Sequence, residues 1–165
     1  MHVEWRQIDE FPGYSVSNEG FVRNDDTGKN LVMLVNQFKF VNVGLTENKK
    51  QYKRGLALLV ANAFIPRPTE SFDTPIHLDG NRFNARVSNL VWRPRWFALQ
   101  YHAQFENGLE YNPDQPVQNM TTGEQFQHSW EASTKLGLIH RDVIISTHLN
   151  TPVWPFGDRF RKLTA

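Results

Sequence analysis

The stretch HLDGNRFNARVSNLVW, residues 77 to 92, concentrates the side chains of this sequence that can do chemistry. His77 carries an imidazole, whose near-neutral pKa suits proton transfer without much tuning. Asp79, Gly80 and Asn81 form an Asp-Gly-Asn turn whose glycine can adopt positive φ, and Asn84 can tie such a loop to backbone groups. Asn89 brings a further amide at the far end of the loop. Arg82, Arg86, Arg93 and Arg95 surround the loop, where they could contact nucleic-acid phosphates or serve surface solubility. With no cysteine in the chain, disulfides and thiolate-bound zinc are excluded, and a metal would have to be held by His, Asn, Asp, Glu or water.

The elements that must position these groups can be traced on either side. Residues 74 to 92 are expected to form a strand, a long polar loop and a second strand at Leu90 to Trp92. Pro94 can occupy the first turn of a following helix that runs through His102. Upstream, FPGYSVSNEGFVR (11 to 23) combines two turn signals with alternating apolar residues and predicts a short hairpin. LVMLVNQFKFVNVGL (31 to 45) predicts further strands. In RGLALLVANAF (54 to 64) the apolar residues recur at helical spacing, and Pro66 and Pro68 stop the helix. Trp92, Trp96 and Phe97 are expected to pack rather than to stack on a ligand.

Downstream, QFENGLEYNPDQP (104 to 116) has Asn-Gly, Asn-Pro and Gln-Pro steps and is expected to be a linker. The strand-like PVQNM follows, then a Thr-Gly turn, then Ser129 as the expected N-cap of a helix that stops at Gly137. A second helix is expected from about Arg141 to Leu149. Two short helices around a glycine turn fit a helix-turn-helix or a plain helical hairpin. With Ile145 and Leu149 taken as buried, Arg141, Ser146 and His148 are the candidate groove-facing residues, a partner-protein surface being the alternative.

The net charge of +1 conceals segregation. Residues 1 to 48 carry 4 basic and 7 acidic side chains, whereas residues 49 to 95 carry 9 and 3. A neutral chain with one basic segment fits a local contact with a polyanion. Lys49, Lys50, Lys53 and Arg54 form the densest basic run, which could bind phosphate or be the solvated tip of a hairpin. The chain has no run of 18 or more apolar residues, and MHVEWRQIDE lacks the zones of a signal peptide, so a cytoplasmic protein with no membrane partner is expected.

Three blocks, in the right order and spanning nearly all of the chain, resemble the HNH homing endonucleases of phages and group I introns. EWRQIDEFPGYSVSNEGFVRN with LALLVANAFIPRP is similar to the module that precedes HNH centres in that family. HLDGNRFNARVSNLVW resembles the HNH motif in its histidine-asparagine-asparagine form. TTGEQFQHSWEASTKLGL with the closing GDRFR resembles the small DNA-binding repeat that ends many such enzymes.

The resemblance implies a β-β-α centre that grips one divalent cation against the scissile phosphate, with His77 deprotonating the attacking water and Asn89 fixing the loop or orienting the base. It also exposes departures. The residue before the base is normally Asp or Asn, and here it is Ile76. The third motif position, on the following helix, normally supplies a second ligand and falls on Ala98. His102, one helical turn further, could replace it if the helix were shifted. A His-Arg pair common in the upstream helix is replaced by Ala57 and Leu58.

The expected architecture is α+β: an N-terminal strand-rich module (1–68), a ββα HNH centre of the metal-binding type (69–103), a linker (104–116) and a C-terminal repeat with a helix-turn-helix (117–165). Three functions remain open on this basis. The chain is a DNA-binding protein of the HNH lineage with cleavage lost or weakened, or a working endonuclease using magnesium or another divalent cation, or a scaffold co-opted to bind a protein. Double-stranded DNA is the expected partner of the first two, in a phage-infected bacterium or a similar setting.

Overall fold

The computed structural model describes residues 2–106 and 115–164, so most of the expected linker, 107–114, lies outside the described residues. The chain divides into two compact units, Met1–Ala98 and Leu99–Ala165. No helix among the described residues is long and apolar enough to cross a membrane. The architecture is α+β, with small antiparallel sheets and four helices among the described residues.

In the first unit, β1 (Trp5–Ile8), β2 (Phe11–Ser17) and β3 (Val22–Asn24) form one antiparallel sheet in that order. β4 (Leu34–Val35), β5 (Val41–Glu47) and β6 (Lys50–Gly55) form a second. Alternation along β5 sends Val41, Val43 and Leu45 into the core and leaves Asn42, Gly44 and Thr46 on the other face. Asn48 and Lys49 both take positive φ, which closes the β5–β6 hairpin in the primed-turn manner and leaves Lys49 and Lys50 exposed. Helix α1 (Leu56–Phe64) buries Leu56, Leu59 and Val60 against both sheets. Burying such aliphatic side chains contributes roughly 1.5–3 kcal/mol each. Ala57, one of the two positions where the family carries a polar pair, packs on that core as well.

β7 (Thr74–His77) and β8 (Leu90–Arg93) pair antiparallel, with Ile76 opposite Val91 and His77 opposite Leu90. A single 3-10 turn, Val87–Asn89, leads into β8, and α2 (Arg95–Glu106) follows it, four residues longer than expected. The hairpin loop is stitched to the β2–β3 turn. The Val87 N–H donates to the Asn18 carbonyl at 2.9 Å, and Arg86 pairs with Glu19 at 3.1 Å. Gly20, at φ +85°, lies so close that a Cβ there would stand 2.8 Å from the Ala85 carbonyl carbon. Ala85 and Leu90 belong to the same core as Val16, Val22 and Leu56, so the expected boundary at 68/69 falls within one packed unit.

In the second unit, β9 (Val117–Asn119) lies between β10 (Gln125–Phe126) and β11 (Phe160–Lys162). Helices α3 (Ser129–Leu136) and α4 (His140–Leu149) pack on a core of Val117, Phe126, Ala132, Leu138, Val143, Val153 and Phe160. Ser129 is not the N-cap of α3. That role falls to His128, whose Nδ1 accepts the Glu131 N–H at 3.0 Å, while Ser129 is already helical and its hydroxyl meets His140 Nε2 at 2.8 Å. Gly137 ends α3 in the left-handed conformation, as expected. Gln104 of α2 clamps the turn between the helices, accepting the His140 N–H at 3.0 Å and donating to the Leu138 carbonyl at 3.3 Å.

Candidate nuclease centre and nucleic-acid interface

The loop between β7 and β8 is organised around the Asp79 carboxylate. Oδ1 accepts the Asn81 N–H and the Asn89 side-chain amide, each at 2.8 Å, and Oδ2 accepts the Asn84 side-chain amide at 2.8 Å. Asn89 also donates to the Asn84 carbonyl at 2.8 Å, and its oxygen accepts the Asp79 N–H at 3.1 Å. Gly80, at φ +74°, makes the sharp turn. Burial alone would raise the Asp79 pKa, but the hydrogen bonds from Asn84, Asn81 and Asn89 outweigh it and hold the carboxyl below the usual range. The carboxylate is thus consumed by the loop it holds together.

His77 ends β7 with only 5 % of its surface exposed. Burial, aided by the positive charge of Arg82 and opposed by Asp79, pushes its pKa down to about 4. The imidazole is therefore neutral at physiological pH. A neutral imidazole can accept a proton, but one with so low a pKa is a weak base.

Both expected ligand positions are interior. Ile76 is 0 % exposed and Ala98 3 % exposed, so each is a packing residue within the first unit. A hard divalent cation needs oxygen ligands at fixed distance, and neither side chain offers one. Asp79, three residues after Ile76, is already engaged by the loop. Among the described residues no group of three His, Asp or Glu side chains could hold a metal ion. His102 lies on the part of α2 assigned to the second unit, its ring edge-on to Tyr101 at 6.0 Å. The residues present do not fit the cation that an HNH centre uses.

The arginines expected at the loop separate into different environments. Arg93 is buried, donates to the Trp92 carbonyl at 2.8 Å and lies over the Phe97 ring at 5.7 Å, so it is a packing residue and not an exposed phosphate ligand. Its position on β8, opposite Thr74, turns it inward. Arg95 is exposed at the start of α2, Arg86 is exposed beside Glu19, and Arg82 lies 4.6 Å over the Phe40 ring. Lys49, Lys50 and Lys53 are exposed on the β5–β6 hairpin, whereas Arg54 pairs with Glu10 and lies over Phe11. Trp92 and Phe97 are buried as expected, but Trp96 is exposed.

In α4 the expected face is rotated. Val143 and Ser146 are buried, while Ile145 and Leu149 are exposed. Ser146 is not groove-facing: its hydroxyl donates to the Thr151 carbonyl at 2.6 Å and accepts the Phe160 N–H at 3.0 Å, tying α4 to β11. Arg141 and His148 are exposed, and His148 Nε2 lies 3.1 Å from Lys162 Nζ.

Sequence reasoning missed the clasp made by Asn18 and Glu19 on the 77–92 loop, for which the Asn-Glu-Gly turn was the available signal. It also missed the exposed rings of Phe38, Phe40 and Phe83. Phe38 and Phe40 sit in strand-like sequence, where a phenylalanine is ordinarily assigned to a core, and Phe83 sits in the polar loop.

The hairpin, its amide-locked loop and the following helix succeed one another in β-β-α order. Comparison with known proteins agrees. No family model matches the chain. An uncharacterized HNH endonuclease of Acanthamoeba polyphaga mimivirus is 27% identical over 171 residues, covering 98% of this chain and 51% of the relative. A second uncharacterized HNH endonuclease of the same virus is 32% identical over 89 residues, 54% of this chain and 22% of that protein. The chain thus spans about half the length of one curated relative and less of the other. Among solved structures, the HNH homing endonuclease I-HmuI, described for its DNA binding and cleavage, matches with a TM-score of 0.55. It covers 98% of this chain and 99% of its own at 23% identity, a likeness of fold. The chain is thus similar over nearly its whole length to proteins named HNH endonucleases and shares the fold of one of them.

Proposed function

We propose that this chain binds double-stranded DNA through the inherited HNH scaffold and that its capacity to hydrolyse phosphodiester bonds has been lost. The observation that carries this is the pair Ile76 and Ala98, two buried apolar side chains where the family's centre supplies oxygen ligands. Loss at one position could be covered by water or a neighbour. Loss at both leaves a hard cation no anchor. The loop that Asp79, Asn84 and Asn89 lock needs no metal to hold its shape. It holds Arg82 and Arg86 in place, and with the exposed Lys49, Lys50, Lys53 and Arg95 they are the cations we assign to phosphate, whose binding requires no metal. Arg141 and His148 of the helix pair offer a second point of contact.

The retention of a histidine at position 77 favours the alternative of a working endonuclease with an atypical ligand set. A supercoiled-plasmid assay with magnesium or manganese, run beside His77→Ala, decides between them. The expected result is no nicking by either protein together with DNA retention that falls steeply with salt. Metal-dependent nicking that disappears in His77→Ala would establish the alternative. Failure to retain DNA at low salt would point instead to a scaffold turned to protein binding.

A further inference from the structure

Between β4 and β5 the chain makes a tight, heavily bonded turn that serves no part of the core. The Asn36 side-chain oxygen accepts the N–H groups of Phe38 and Phe40 at 3.0 and 2.9 Å. The Asn36 N–H donates to the Phe40 carbonyl and the Lys39 N–H to the Asn36 carbonyl, both at 3.0 Å. Lys39 takes φ +61° to close the turn. Such a turn leaves little freedom in the backbone, yet it presents Phe38 with 65 % of its surface exposed and Phe40 with 45 %. The guanidinium of Arg82, from the 77–92 loop, covers the Phe40 ring at 4.6 Å, and Phe83 beside it is also exposed.

Charge identifies what would cover these rings. From Thr27 to Thr46 the sequence holds Lys29 and Lys39 and no acid, and from Gly80 to Arg95 it holds four arginines and no acid. An apolar ring on such a turn, with Lys39 next to it in sequence and Arg82 over the neighbouring Phe40 ring, suits a partner that is anionic outside and flat and apolar within. Stacked bases between phosphates have that chemistry, and apolar side chains do enter base steps as wedges.

We propose that Phe38 is a DNA wedge: its ring stacks into a locally opened base step of duplex DNA while Lys39 and Arg82 meet the adjoining phosphates. The inference rests on the DNA-binding function proposed above. Arg82, by covering Phe40, positions the turn so that Phe38 is the ring that enters. Flexible pyrimidine–purine steps are the cheapest to open and would be preferred.

A wedge unwinds the duplex where it enters, which can be read without knowing a target sequence. The full chain is bound to relaxed circular plasmid, and a type IB topoisomerase is added in EDTA, so that no metal-dependent nicking intervenes. The protein is then removed. The wild-type chain is expected to leave a shifted distribution of linking number, and Phe38→Trp to retain the shift. Phe38→Ala is expected to lose it and to bind DNA about fivefold or more weaker, with an unchanged salt slope. Circular dichroism confirms that each variant is folded. An equal shift from wild type and Phe38→Ala would overturn the wedge, as would DNA retention by the wild type without any shift. Either result leaves the DNA-binding function standing, whereas no DNA retention at low salt would remove both. If Phe38→Ala instead abolishes self-association in sedimentation and leaves DNA topology unchanged, the tip is a protein-docking surface and the proposal fails.

Discussion

Asn89 and Asp79 are joined twice: the Asn89 side-chain amide donates to Asp79 Oδ1 at 2.8 Å, and its oxygen accepts the Asp79 backbone N–H at 3.1 Å. The pair closes the 77–92 loop from both ends, and removal of one member strands the other. Asn89→Ala is expected to lower stability by about 2–3 kcal/mol, because a charged acceptor and a partly buried N–H lose partners together. Urea denaturation of Asn89→Ala, Asp79→Ala and the double variant measures the coupling. Additive losses would show that the two residues do not act as a unit.

His77 makes stability depend on pH. Its folded pKa of about 4 lies below the ordinary value of 6.5. The unfolded chain therefore takes up a proton that the folded chain refuses. The penalty is absent above the unfolded pKa and grows as pH falls from 6.5 towards 4, reaching about 3 kcal/mol at about 1.4 kcal/mol per unit. Burial beside His128 also holds His140 low and gives the same sign, but it is common to both proteins in a comparison of wild type with His77→Gln. The urea midpoint of the wild type is expected to fall more than that of His77→Gln between about pH 7.5 and about pH 5. Parallel curves would mean that His77 titrates as an exposed histidine.

The ligand positions predict an absence of linkage to metal. A cation that bound the folded state would raise the melting temperature by mass action. The wild-type melting temperature is expected to be unchanged by EDTA, by millimolar magnesium and by millimolar manganese. Ile76→Asp alone should cost about 3 kcal/mol or more, since it buries an unpaired carboxylate. Ile76→Asp with Ala98→Asn should recover part of that loss when manganese is added, while a manganese-dependent rise in the wild type would reveal a ligand set the sequence does not show.

In the second unit, packing and binding residues separate by experiment. Ser146→Ala removes one acceptor and one donor in the interior and should cost about 1–3 kcal/mol of stability, with no direct effect on DNA affinity. Arg141→Ala should leave stability within about half a kcal/mol and reduce the salt slope of DNA binding by about 1. The reverse pattern would restore Ser146 to the surface and exclude Arg141 from it.

Much of this arrangement is legible from residue order. The β2–β3 and β7–β8 hairpins, α1 and the loop residues Asp79, Gly80 and Asn84 announce themselves through turn chemistry and periodicity, which are local properties. What is not legible is phase and partnership. Ile145 and Leu149 look like a buried pair, but α4 faces its core through Val143 and the small Ser146, whose hydroxyl is satisfied by backbone distant in sequence. Arg93 has the composition of a surface residue, yet the strand register sends it inward. The rings of Phe38 and Phe40 have the sequence of a strand, but the bonds from the Asn36 side chain make a turn there instead.

Gly20 and Ala85 bear on how such a chain can be inherited. Their backbones approach so closely that any side chain at Gly20 would have to displace the 77–92 loop, and the positive φ there already disfavours one. The N-terminal strands and the histidine hairpin therefore cannot be exchanged separately between relatives without a matched glycine in the donor. A chimaera cut at residue 68 would carry a steric mismatch into the loop wherever the donor of the N-terminal strands lacked that glycine, whereas a cut beyond residue 98 would carry both halves of the contact together. Recombination that spared this pair would pass on an intact scaffold whether or not the nuclease within it still worked.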